Sequence, residues 1–304
     1  MNAVELTKDN MKVLVSGATG LIGKAVTSEL ERAGHEITAL SRKPSGGEIG
    51  WQPEDEPAPV HALESARVVI HLAGEPIAEK RWTEEVKRRI RNSRVIGTRN
   101  LVRGIESAEK RPAVLVCASA VGYYGDRGDE VLDEASPPGQ GFLPEVCIEW
   151  EGEARRAEEF GVRVVHLRTG MVLSTDGGAL AKMLPPFRLG IGGRLGSGDQ
   201  WVSWIHIADV AGIVMHSIEK ESVRGPVNTV APGIVRNAQF TRELASALDR
   251  PAFLPVPEFA LNLVFGEMAE LLLSSQRVNP RVAVETGYRF RFPEVATALK
   301  DLLG

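Results

Sequence analysis

Apolar runs of five or six residues alternate with longer amphipathic stretches over the first 170 residues of the chain. Each apolar run is bounded by glycine, proline or polar residues, which is typical of a strand buried on both faces. The runs that predict strands are 11–16, 36–40, 67–72, 114–118 and 162–167. The stretches that predict helices are 21–33, 83–108 and 145–160. This alternation predicts a parallel sheet with helices on both faces.

Beyond residue 170 the apolar pattern shortens, and glycine-rich loops separate small helical segments. The helices predicted there are 237–248, 257–273 and 293–302. We therefore predict an α/β fold: a Rossmann-type doubly wound parallel sheet with a smaller, mostly helical C-terminal substrate lobe that closes a pocket at the strand ends. The predicted division is a polar tail at 1–10, a dinucleotide-binding domain at 11–170 and the lobe at 171–304, with some lobe elements returning to the first domain.

A glycine-rich turn joins the first predicted strand to the first predicted helix. Its motif, Gly17-x-x-Gly20-x-x-Gly23, suits a dinucleotide pyrophosphate lying across a helix N-terminus. Gly17 permits the tight turn, Gly20 lets backbone N–H groups approach the phosphates, and Gly23 lets the helix lie close to the strand. An ordinary strand-to-helix turn is the alternative interpretation. The residues predicted to bind the cofactor here are Gly17, Thr19, Gly20, Leu21 and Ile22.

Three residues at the end of the second predicted strand indicate which dinucleotide binds. NAD-dependent enzymes usually place an acidic residue about 20 positions past the glycine motif to hold the ribose 2′-OH. This chain has Ser41, Arg42 and Lys43 there. The guanidinium of Arg42 can bind a 2′-phosphate through two hydrogen bonds and lie against adenine. The sequence therefore predicts NADP(H), with Ser41 and Arg42 as first contacts and Lys43 as an outer charge; a solvated basic turn is the alternative.

The composition excludes several classes of protein. Of the 304 residues 43% are hydrophobic and 25% charged, and the formal net charge of −4 argues against a nucleic-acid partner. The sequence predicts neither a membrane span nor a signal peptide. Cys117 and Cys147 lack the spacing of a disulfide framework or a metal site, and the six histidines are scattered. We expect a cytoplasmic monomer or homodimer without a metal.

Motifs along nearly the whole chain are similar to those of one enzyme superfamily. They are the glycine motif, His71-Leu72-Ala73-Gly74, the serine-bearing segment 119–125 and the segment 204–209. Together they resemble the short-chain dehydrogenase/reductase superfamily, in its extended, nucleotide-sugar-epimerase-like branch. The segments 168–173, 193–198 and 276–288 narrow the resemblance to an atypical epimerase-family group that has been labelled cell-division-inhibitor-like.

The resemblance implies roles for residues outside the glycine turn. It places one loop beside the adenine and ribose of the cofactor, through Leu72, Ala73 and Gly74. It adds Met171 to the cofactor contacts. It also gives Ser119 the place of the active-site serine, whose hydroxyl can polarise a substrate oxygen.

The usual catalytic pair of that superfamily is missing from this chain. In the pair, Tyr-x-x-x-Lys, the tyrosine transfers a proton, and the lysine lowers its pKa and holds the nicotinamide ribose. The aligned positions hold Cys147 and Glu151, and a carboxylate hinders ionisation of a neighbouring thiol. Glu151 can still accept a hydrogen bond from a ribose hydroxyl; alternatively, Cys147 is an apolar filler and Glu151 a helix-surface charge. The tyrosines near Ser119 that could transfer a proton are Tyr123 and Tyr124.

Arg94 lies on the apolar stripe of the helix predicted at 83–108, beside Gly97. A buried arginine needs an anion or a carboxylate partner. The resemblance places Arg94 where extended family members usually carry an active-site Asn. Arg94 is therefore predicted to contact cofactor phosphate or an anionic substrate, and a structural pair with a buried carboxylate is the alternative.

These features support two functional hypotheses. In the first, the chain is an NADP(H)-dependent, epimerase-like oxidoreductase acting on a small polar substrate. Ser119 polarises the reacting oxygen, Arg94 binds negative charge, and Tyr123 or Tyr124 moves the proton. In the second, the chain is a non-catalytic NADP(H)-binding sensor or partner-binding protein, which the missing catalytic pair favours.

Overall fold

The computed structural model describes residues 10–304, so nearly all of the polar tail predicted at 1–10 lies outside the described residues. The strands are β1 (Lys12–Ser16), β2 (Glu36–Ser41), β3 (Ile49–Gly50), β4 (Val68–His71), β5 (Val114–Ala120), β6 (Val131–Leu132), β7 (Arg163–Thr169), β8 (Met171–Leu173), β9 (Trp201–Val202), β10 (Trp204–His206), β11 (Gly225–Thr229), β12 (Val235–Arg236) and β13 (Arg277–Val278). The helices are α1 (Leu21–Arg32), α2 (Val60–Ser65), α3 (Glu84–Ser107), α4 (Phe142–Arg155), α5 (Gly178–Arg188), α6 (Ile207–Glu219), α7 (Asn237–Ala247), α8 (Glu258–Phe265), α9 (Glu270–Leu273), α10 (Arg281–Glu285) and α11 (Val295–Leu303).

Seven of these strands form one parallel sheet in the order β11-β7-β5-β4-β1-β2-β3, which confirms the predicted doubly wound fold. After β1 the chain adds β2 and β3 on one side of β1, and it then crosses over to add β4 on the other side. The strand order therefore reverses between β1 and β4. Ligands of such sheets bind in the crevice at the carboxyl ends of the strands at this reversal. Ser16, at the end of β1, is in register with Leu40 of β2 and His71 of β4. The glycine-rich turn and residues 41–43 therefore start at the same edge.

Alternate strand residues enter cores on opposite faces of the sheet. In β1, Val13 and Val15 belong to a core shared with α1 and α6, whereas Leu14 belongs to a core shared with α2, α3 and α4. Because both faces are covered, the strands read as continuous apolar runs without polar alternation. The two cores fix the strand ends from which the site side chains project.

The second part of the chain begins directly at the carboxyl edge of the sheet, since β7 ends at Thr169 and β8 starts at Met171. Two of its elements return to the large domain: β11 pairs with β7, and α6 packs in the core beside α1. The remaining lobe has a core of its own, to which α5, α7 and α11 contribute.

Two predicted helices differ from the observed ones. The helix predicted at 257–273 is broken into α8, a 3-10 turn at 266–269 and α9, because Gly266 takes a φ of +59° that does not continue an α-helix. The helix predicted at 145–160 starts earlier, at Phe142, and tightens to a 3-10 turn before the left-handed Gly161. The sequence analysis missed the short elements α2 and β3. By contrast, α3 begins where predicted, with Thr83 Oγ1 accepting from Val86 N at 3.3 Å.

Candidate functional site

The glycine-rich turn leaves no room for a side chain at two of its three glycines. Gly17 has a φ of +77°, and a Cβ there would lie 2.8 Å from the backbone N of Ala73 and the carbonyl carbon of Leu72. A Cβ at Gly23 would overlap Gly17 O, so Gly23 allows α1 to pack against the turn. A Cβ at Gly20 would meet, among the described residues, Gly17 O alone, at 3.3 Å. A side chain at Gly20 would therefore require a small shift of Gly17 O, a much milder clash than at Gly17 or Gly23, whereas a ligand lying there would leave it no room.

The N-terminus of α1 is an uncapped anion site. Gly20 is its N-cap residue and offers no side chain, and the first turn contains no acidic residue. The first N–H groups of a helix have no acceptor within it, and the helix dipole places partial positive charge there. Thr19 and Gly20 are exposed, and Leu21 and Ile22 are half-buried. This geometry fits a pyrophosphate.

Ser41, Arg42 and Lys43 lie at the end of β2, next to β1 in the sheet. Ser41 Oγ accepts a hydrogen bond from Lys43 N at 3.3 Å. Arg42 and Lys43 are exposed, and within the described part of the chain the side chain of neither forms an ion pair or a hydrogen bond. A guanidinium without a protein partner at this strand end fits the 2′-phosphate of NADP(H).

Residues 72–74 form the opposite rim of the crevice. Leu72 N donates to Ser16 O at 3.0 Å, which holds this loop against the glycine turn. Behind the loop, His71 is fully buried, with Nδ1 2.6 Å from Ser16 Oγ. Burial lowers the pKa of His71 to about 4, so the ring is neutral at pH 7.

Met171 is half-buried at the start of β8, and its N–H donates to Ser203 O at 2.8 Å. The segment that follows approaches the glycine turn through Gly178. A Cβ at Gly178 would lie 3.1 Å from Leu21 Cδ2 and 3.8 Å from Val172 O. The lobe therefore meets the predicted cofactor site on the side of Leu21.

Arg94 projects from α3 toward the loop after β4. Its Cζ lies 3.4 Å from the position of a Cβ at Gly74 and 5.2 Å from the ring centre of Trp150. Its Nη1 donates to the carbonyls of Glu75, at 3.0 Å, and Ile90, at 3.1 Å. Among residues 10–304 it forms no ion pair with a carboxylate, so the alternative of a buried structural pair is not observed. Burial lowers the pKa of Arg94, as expected of a poorly solvated cation.

Glu151 and Arg168 form a buried ion pair that the sequence analysis missed. Arg168 donates from Nε to Glu151 Oε1 and from Nη2 to Oε2, both at 2.8 Å, and the side chains are 4% and 2% exposed. Ser119 Oγ, at the end of β5, donates to Glu151 Oε1 at 2.7 Å. Burial raises the pKa of Glu151, but the hydrogen bonds and charge of Arg168 outweigh it, so the pKa is lowered and the group is ionised.

One interpretation of Glu151 is therefore wrong. It is not a helix-surface charge, because its side chain is 2% exposed. A ribose hydroxyl would have to share its carboxylate oxygens with Arg168 and Ser119. Ser119 gives its single hydroxyl proton to this carboxylate, so toward a ligand it presents lone pairs and can accept a hydrogen bond. Polarising a carbonyl would require the Ser119 hydroxyl to leave Glu151.

A pattern in the sequence could have revealed the pair. Arg168 is a charge at the end of the apolar run 162–167, and Glu151 shares a helix face with buried Cys147, Trp150 and Ala154. Lone charges of opposite sign on buried faces of adjacent elements require each other. The sequence analysis relates Glu151 to its helix neighbour Cys147 alone, and that neighbour carries no opposite charge.

Tyr123 and Tyr124 differ in what their hydroxyls contact. Tyr124 is 0% exposed, and its OH lies 2.7 Å from Asn228 Oδ1 and 3.1 Å from Arg168 Nη1. Burial raises the pKa of Tyr124 to about 12. Tyr123 is half-buried, with the Arg168 guanidinium 3.5 Å from its ring centre, and its OH has no hydrogen bond within the described residues. The Tyr123 hydroxyl is therefore the one left for a ligand.

Cys147 is buried, with Sγ 3.9 Å from Ala120 O. Burial raises its pKa to about 12, and the charge of Glu151 acts in the same direction, as the sequence analysis predicted. Cys117 is also buried and free. Nowhere in residues 10–304 do three or more His, Cys, Asp or Glu side chains meet as metal ligands. Within the same residues, no helix combines the length and apolar character that crossing a membrane requires.

A cavity of about 800 Å³ lies between the loop after Tyr124 and the lobe. Gly139 lines it and donates its N–H to Tyr123 O at 3.0 Å, so the cavity begins beside the 3-10 turn of Tyr123. Its polar lining includes Asp126, Arg127, Gln140, Gln200, Glu258 and Glu270. Gln200 lies directly before β9.

The C-terminal part of the chain holds one wall of this cavity in place. Ser275 donates from N to Asp126 Oδ1 at 3.1 Å and from Oγ to Gly128 O at 2.6 Å. Gln276 Nε2 donates to Gly125 O at 3.1 Å, and β13 pairs in parallel with β6. The loop after Tyr124 is thus fixed by residues about 150 positions later in the chain.

Comparisons with known proteins agree with this architecture. Residues 13–230 match the profile of the NAD dependent epimerase/dehydratase family, and residues 256–302 match a domain of unknown function, DUF1731. The mouse epimerase family protein SDR39U1 is 42% identical over 297 residues, which cover 96% of this chain and 100% of that protein. The chloroplastic SDR39U1 homolog of Arabidopsis thaliana is 42% identical over 306 residues, which cover 97% of this chain and 88% of that protein.

A solved structure extends the comparison to three dimensions. The crystal structure of human epimerase family protein SDR39U1 (isoform 2) with NADPH superimposes with a TM-score of 0.89 at 40% identity, covering 96% of this chain and 99% of that one. NADPH is the dinucleotide that Ser41, Arg42 and Lys43 predict for this chain.

Proposed function

This chain belongs to the NAD dependent epimerase/dehydratase family, and we propose that it is an NADP(H)-binding oxidoreductase acting on a small polar substrate. The observation that carries the proposal is the guanidinium of Arg42, which has no partner among residues 10–304 and lies on the strand next to β1, which leads into the uncapped N-terminus of α1. The NADPH bound by the human relative supports the same cofactor here. When bound, the cofactor supplies a hydride donor in its reduced form and a hydride acceptor in its oxidised form.

Each group of crevice residues contacts a different part of the cofactor. The N–H groups of Leu21 and Ile22 hold the pyrophosphate, since these donors lack acceptors within α1. Arg42, with Ser41, binds the 2′-phosphate, and Lys43 adds positive charge at the edge. Residues 72–74 cover the adenine and ribose side. Gly20 leaves space for the phosphates because it adds no Cβ there.

Arg94 supplies a cation near the place from which the usual lysine is missing. It reaches the site from α3, not from α4, and lies against Trp150 and beside Gly74. Its Nη1 is held by two backbone carbonyls, which leaves Nε and Nη2 to donate to cofactor oxygens. We assign Arg94 to the part of the cofactor that follows the pyrophosphate.

Proton transfer falls to the Tyr123 hydroxyl. Ser119 accepts a hydrogen bond from a substrate hydroxyl. Its own hydroxyl proton is donated to Glu151, and this hydrogen bond orients the serine hydroxyl. Glu151 acts through Ser119 and is a positioning residue. We propose a cytoplasmic location, because the two cysteines are buried free thiols that suit a reducing compartment.

The second hypothesis, a non-catalytic NADP(H)-binding sensor, keeps one observation in its favour. The hydroxyl proton of Ser119 is directed at an ionised carboxylate, and this carboxylate, Glu151, stands at the position where the superfamily carries its lysine. The same crevice would bind the cofactor in either case.

Titration calorimetry with NADPH and NADH, followed by NADPH oxidation assays with a panel of carbonyl compounds, tests the proposal. Preferred NADPH binding with turnover of a carbonyl compound supports an oxidoreductase. Tight NADPH binding without turnover, together with a stable copurifying partner, supports the sensor instead. Failure to bind either dinucleotide overturns both.

A further inference from the structure

Large apolar side chains are exposed together on one part of the C-terminal lobe. Of the ten such side chains that are exposed in residues 10–304, seven lie between positions 189 and 264. A single exposed apolar residue is common on any protein, whereas a contiguous group of them marks a contact surface. The seven residues are Leu189, Ile191, Phe253, Leu254, Phe259, Leu263 and Val264.

Four of these side chains lie on two segments of the chain that run side by side. At one end the segments are joined by a hydrogen bond of 3.1 Å from Arg250 Nε to Arg188 O. At the other end Val256 N donates to Arg194 O at 2.9 Å. The chain between these two hydrogen bonds carries Leu189, Ile191, Phe253 and Leu254.

Helix α8 extends the same surface. Phe259 follows Val256 by three positions, and three residues span at most about 10 Å, so the helix starts beside the paired segments. Phe259 and Leu263 are four positions apart, on one face of α8, and each is 75% exposed. Leu261, on the opposite face, is the buried residue of this helix. The seven exposed side chains therefore form one surface, the α8 surface.

Charged residues of both signs border the α8 surface. Arg188 and Arg194 are exposed at the two ends of one paired segment, and Asp249 is exposed next to Arg250. Glu258 is the first residue of α8. Within the part of the chain that the structure describes, none of these five side chains forms an ion pair. The border therefore carries cations and anions that still lack partners.

This mixture of charges distinguishes between possible occupants. An anionic membrane surface would attract the three arginines and repel Asp249 and Glu258. A second copy of the chain carries both signs. In a two-fold symmetric interface the same surface faces itself, so cations of one copy can lie beside anions of the other.

We propose that the α8 surface binds a second copy of this chain and that the protein is a two-fold symmetric dimer. At roughly 100 Å² for each of the seven side chains, the apolar patch measures about 700 Å², above the about 300–600 Å² of the largest patch on a typical monomer. A standard interface buries about 800 Å² on each partner, which the patch and its charged border together supply. A homodimer is also one of the two states that the sequence analysis expects.

The dimer has a consequence for the cavity beside Tyr123. Glu258, at the start of α8, lines that cavity. Within its own chain α8 is held through the buried Leu261, so contacts of the partner with Phe259 and Leu263 help to fix this wall. No residue of the α8 surface belongs to the cofactor crevice, and the dimer does not depend on the proposed function.

Sedimentation velocity and light scattering of the full chain, from about 1 to 100 µM, test the proposal. We expect a mass near twice the 33.0 kDa of the chain. A monomer over the whole range overturns the proposal. Flotation with phosphatidylcholine vesicles containing phosphatidylglycerol tests the other occupant: a monomer that floats with them assigns the surface to lipid and refutes the dimer.

Paired variants locate the interface. Phe259→Ser/Leu263→Ser should raise the dissociation constant of the dimer about 100-fold, because both side chains lose their buried apolar contacts. Phe253→Ser/Leu254→Ser, on the paired segments, should also weaken the dimer. All four residues are exposed in the monomer, so the variants should fold, which circular dichroism checks.

The matched control exchanges two apolar residues that are exposed elsewhere. Ile148→Ser/Val284→Ser, on α4 and α10, should leave the dissociation constant of the dimer unchanged. A dimer that persists in both α8-surface variants, or one that dissociates in the control instead, shows that the copies meet through another face and refutes the assignment.

Discussion

Arg168 and Glu151 join β7 to α4 through two hydrogen bonds of 2.8 Å each, with both side chains almost fully buried. The same two residues also hold the hydroxyls of Ser119 and Tyr124. One ion pair thereby fixes the carboxyl ends of β5 and β7, where the proposed chemistry takes place. Removing one member leaves the other as a buried charge without its partner.

Glu151→Leu should therefore lower the free energy of unfolding by about 3–5 kcal/mol. The double variant Glu151→Leu/Arg168→Met should lose less than either single variant, because no unpaired charge remains. Urea unfolding of the three proteins measures both effects. A double variant as unstable as the sum of the single ones would show that the pair is not the source of the loss.

Arg42→Ala should remove most of the preference for NADPH over NADH. In the unmodified chain we expect NADPH to bind at least about tenfold more tightly, which is about 1.4 kcal/mol, since no residue that the structure describes competes for the guanidinium. The variant should weaken NADPH binding and leave NADH binding unchanged in calorimetry. Lys43→Ala, at the adjacent exposed position, is the control and should have a smaller effect. Equal affinities of the unmodified chain for the two dinucleotides would refute the assignment.

Gly20→Val and Gly23→Ala should separate cofactor binding from folding. A Cβ at Gly20 meets Gly17 O at 3.3 Å, so the valine variant should fold with little loss of stability and lose NADPH binding. A Cβ at Gly23 overlaps Gly17 O, so even alanine there should destabilise the fold by about 1–3 kcal/mol. Thermal unfolding and NADPH titration measure the two effects. Normal NADPH binding by Gly20→Val would mean that the turn is not the phosphate site.

Phenylalanine substitutions should distinguish the two tyrosines. Tyr124→Phe leaves Asn228 Oδ1 without its donor in the interior and should cost about 1–3 kcal/mol of stability. Tyr123→Phe should leave stability and NADPH affinity nearly unchanged and should lower kcat by roughly 10²–10⁴-fold with any substrate that is turned over. Cys147→Ala should do little to activity. Lost turnover in Cys147→Ala with full turnover in both tyrosine variants would assign the proton to the thiol.

The free energy of unfolding should decrease as the pH is lowered, because two histidines are buried in the folded protein. Burial lowers the pKa of His71 and of His166 to about 4, whereas an unfolded chain has a histidine pKa of about 6.5. Between these values the unfolded state binds more protons, so the free energy of unfolding decreases as the pH is lowered from about 6.5 to about 4. Each histidine contributes a slope of up to about 1.4 kcal/mol per pH unit.

Urea unfolding across that pH range tests the effect. His166→Phe should reduce the slope, and His61→Gln, at an exposed position, should leave it unchanged. Identical slopes in the unmodified chain and His166→Phe would place the pH dependence in other groups.

The sheet and the cofactor crevice follow from local patterns, and the sequence therefore predicts them well. The first and last residues of each strand can be predicted because strands covered on both faces are continuous apolar runs. The crevice can be predicted because Gly17, Gly23 and Arg42 lie in segments that are close together along the chain. Pairings across long sequence separations have no such local signal. Glu151 meets Arg168 only because α4 packs beside β7, and Gln200 meets Leu272 only because two loops of the lobe converge. Of the two tyrosines, the sequence could not indicate that Tyr124 is committed to Asn228, which follows 104 positions later.

Ser275 and Gln276, which hold the loop after Tyr124 in place, belong to the segment 256–302, while the cofactor crevice is built from residues before that segment. Mutations in that segment can reshape the cavity without touching the turn at Gly17. The shape of the cavity can therefore change through one stretch of coding sequence while the residues of the glycine-rich turn stay the same.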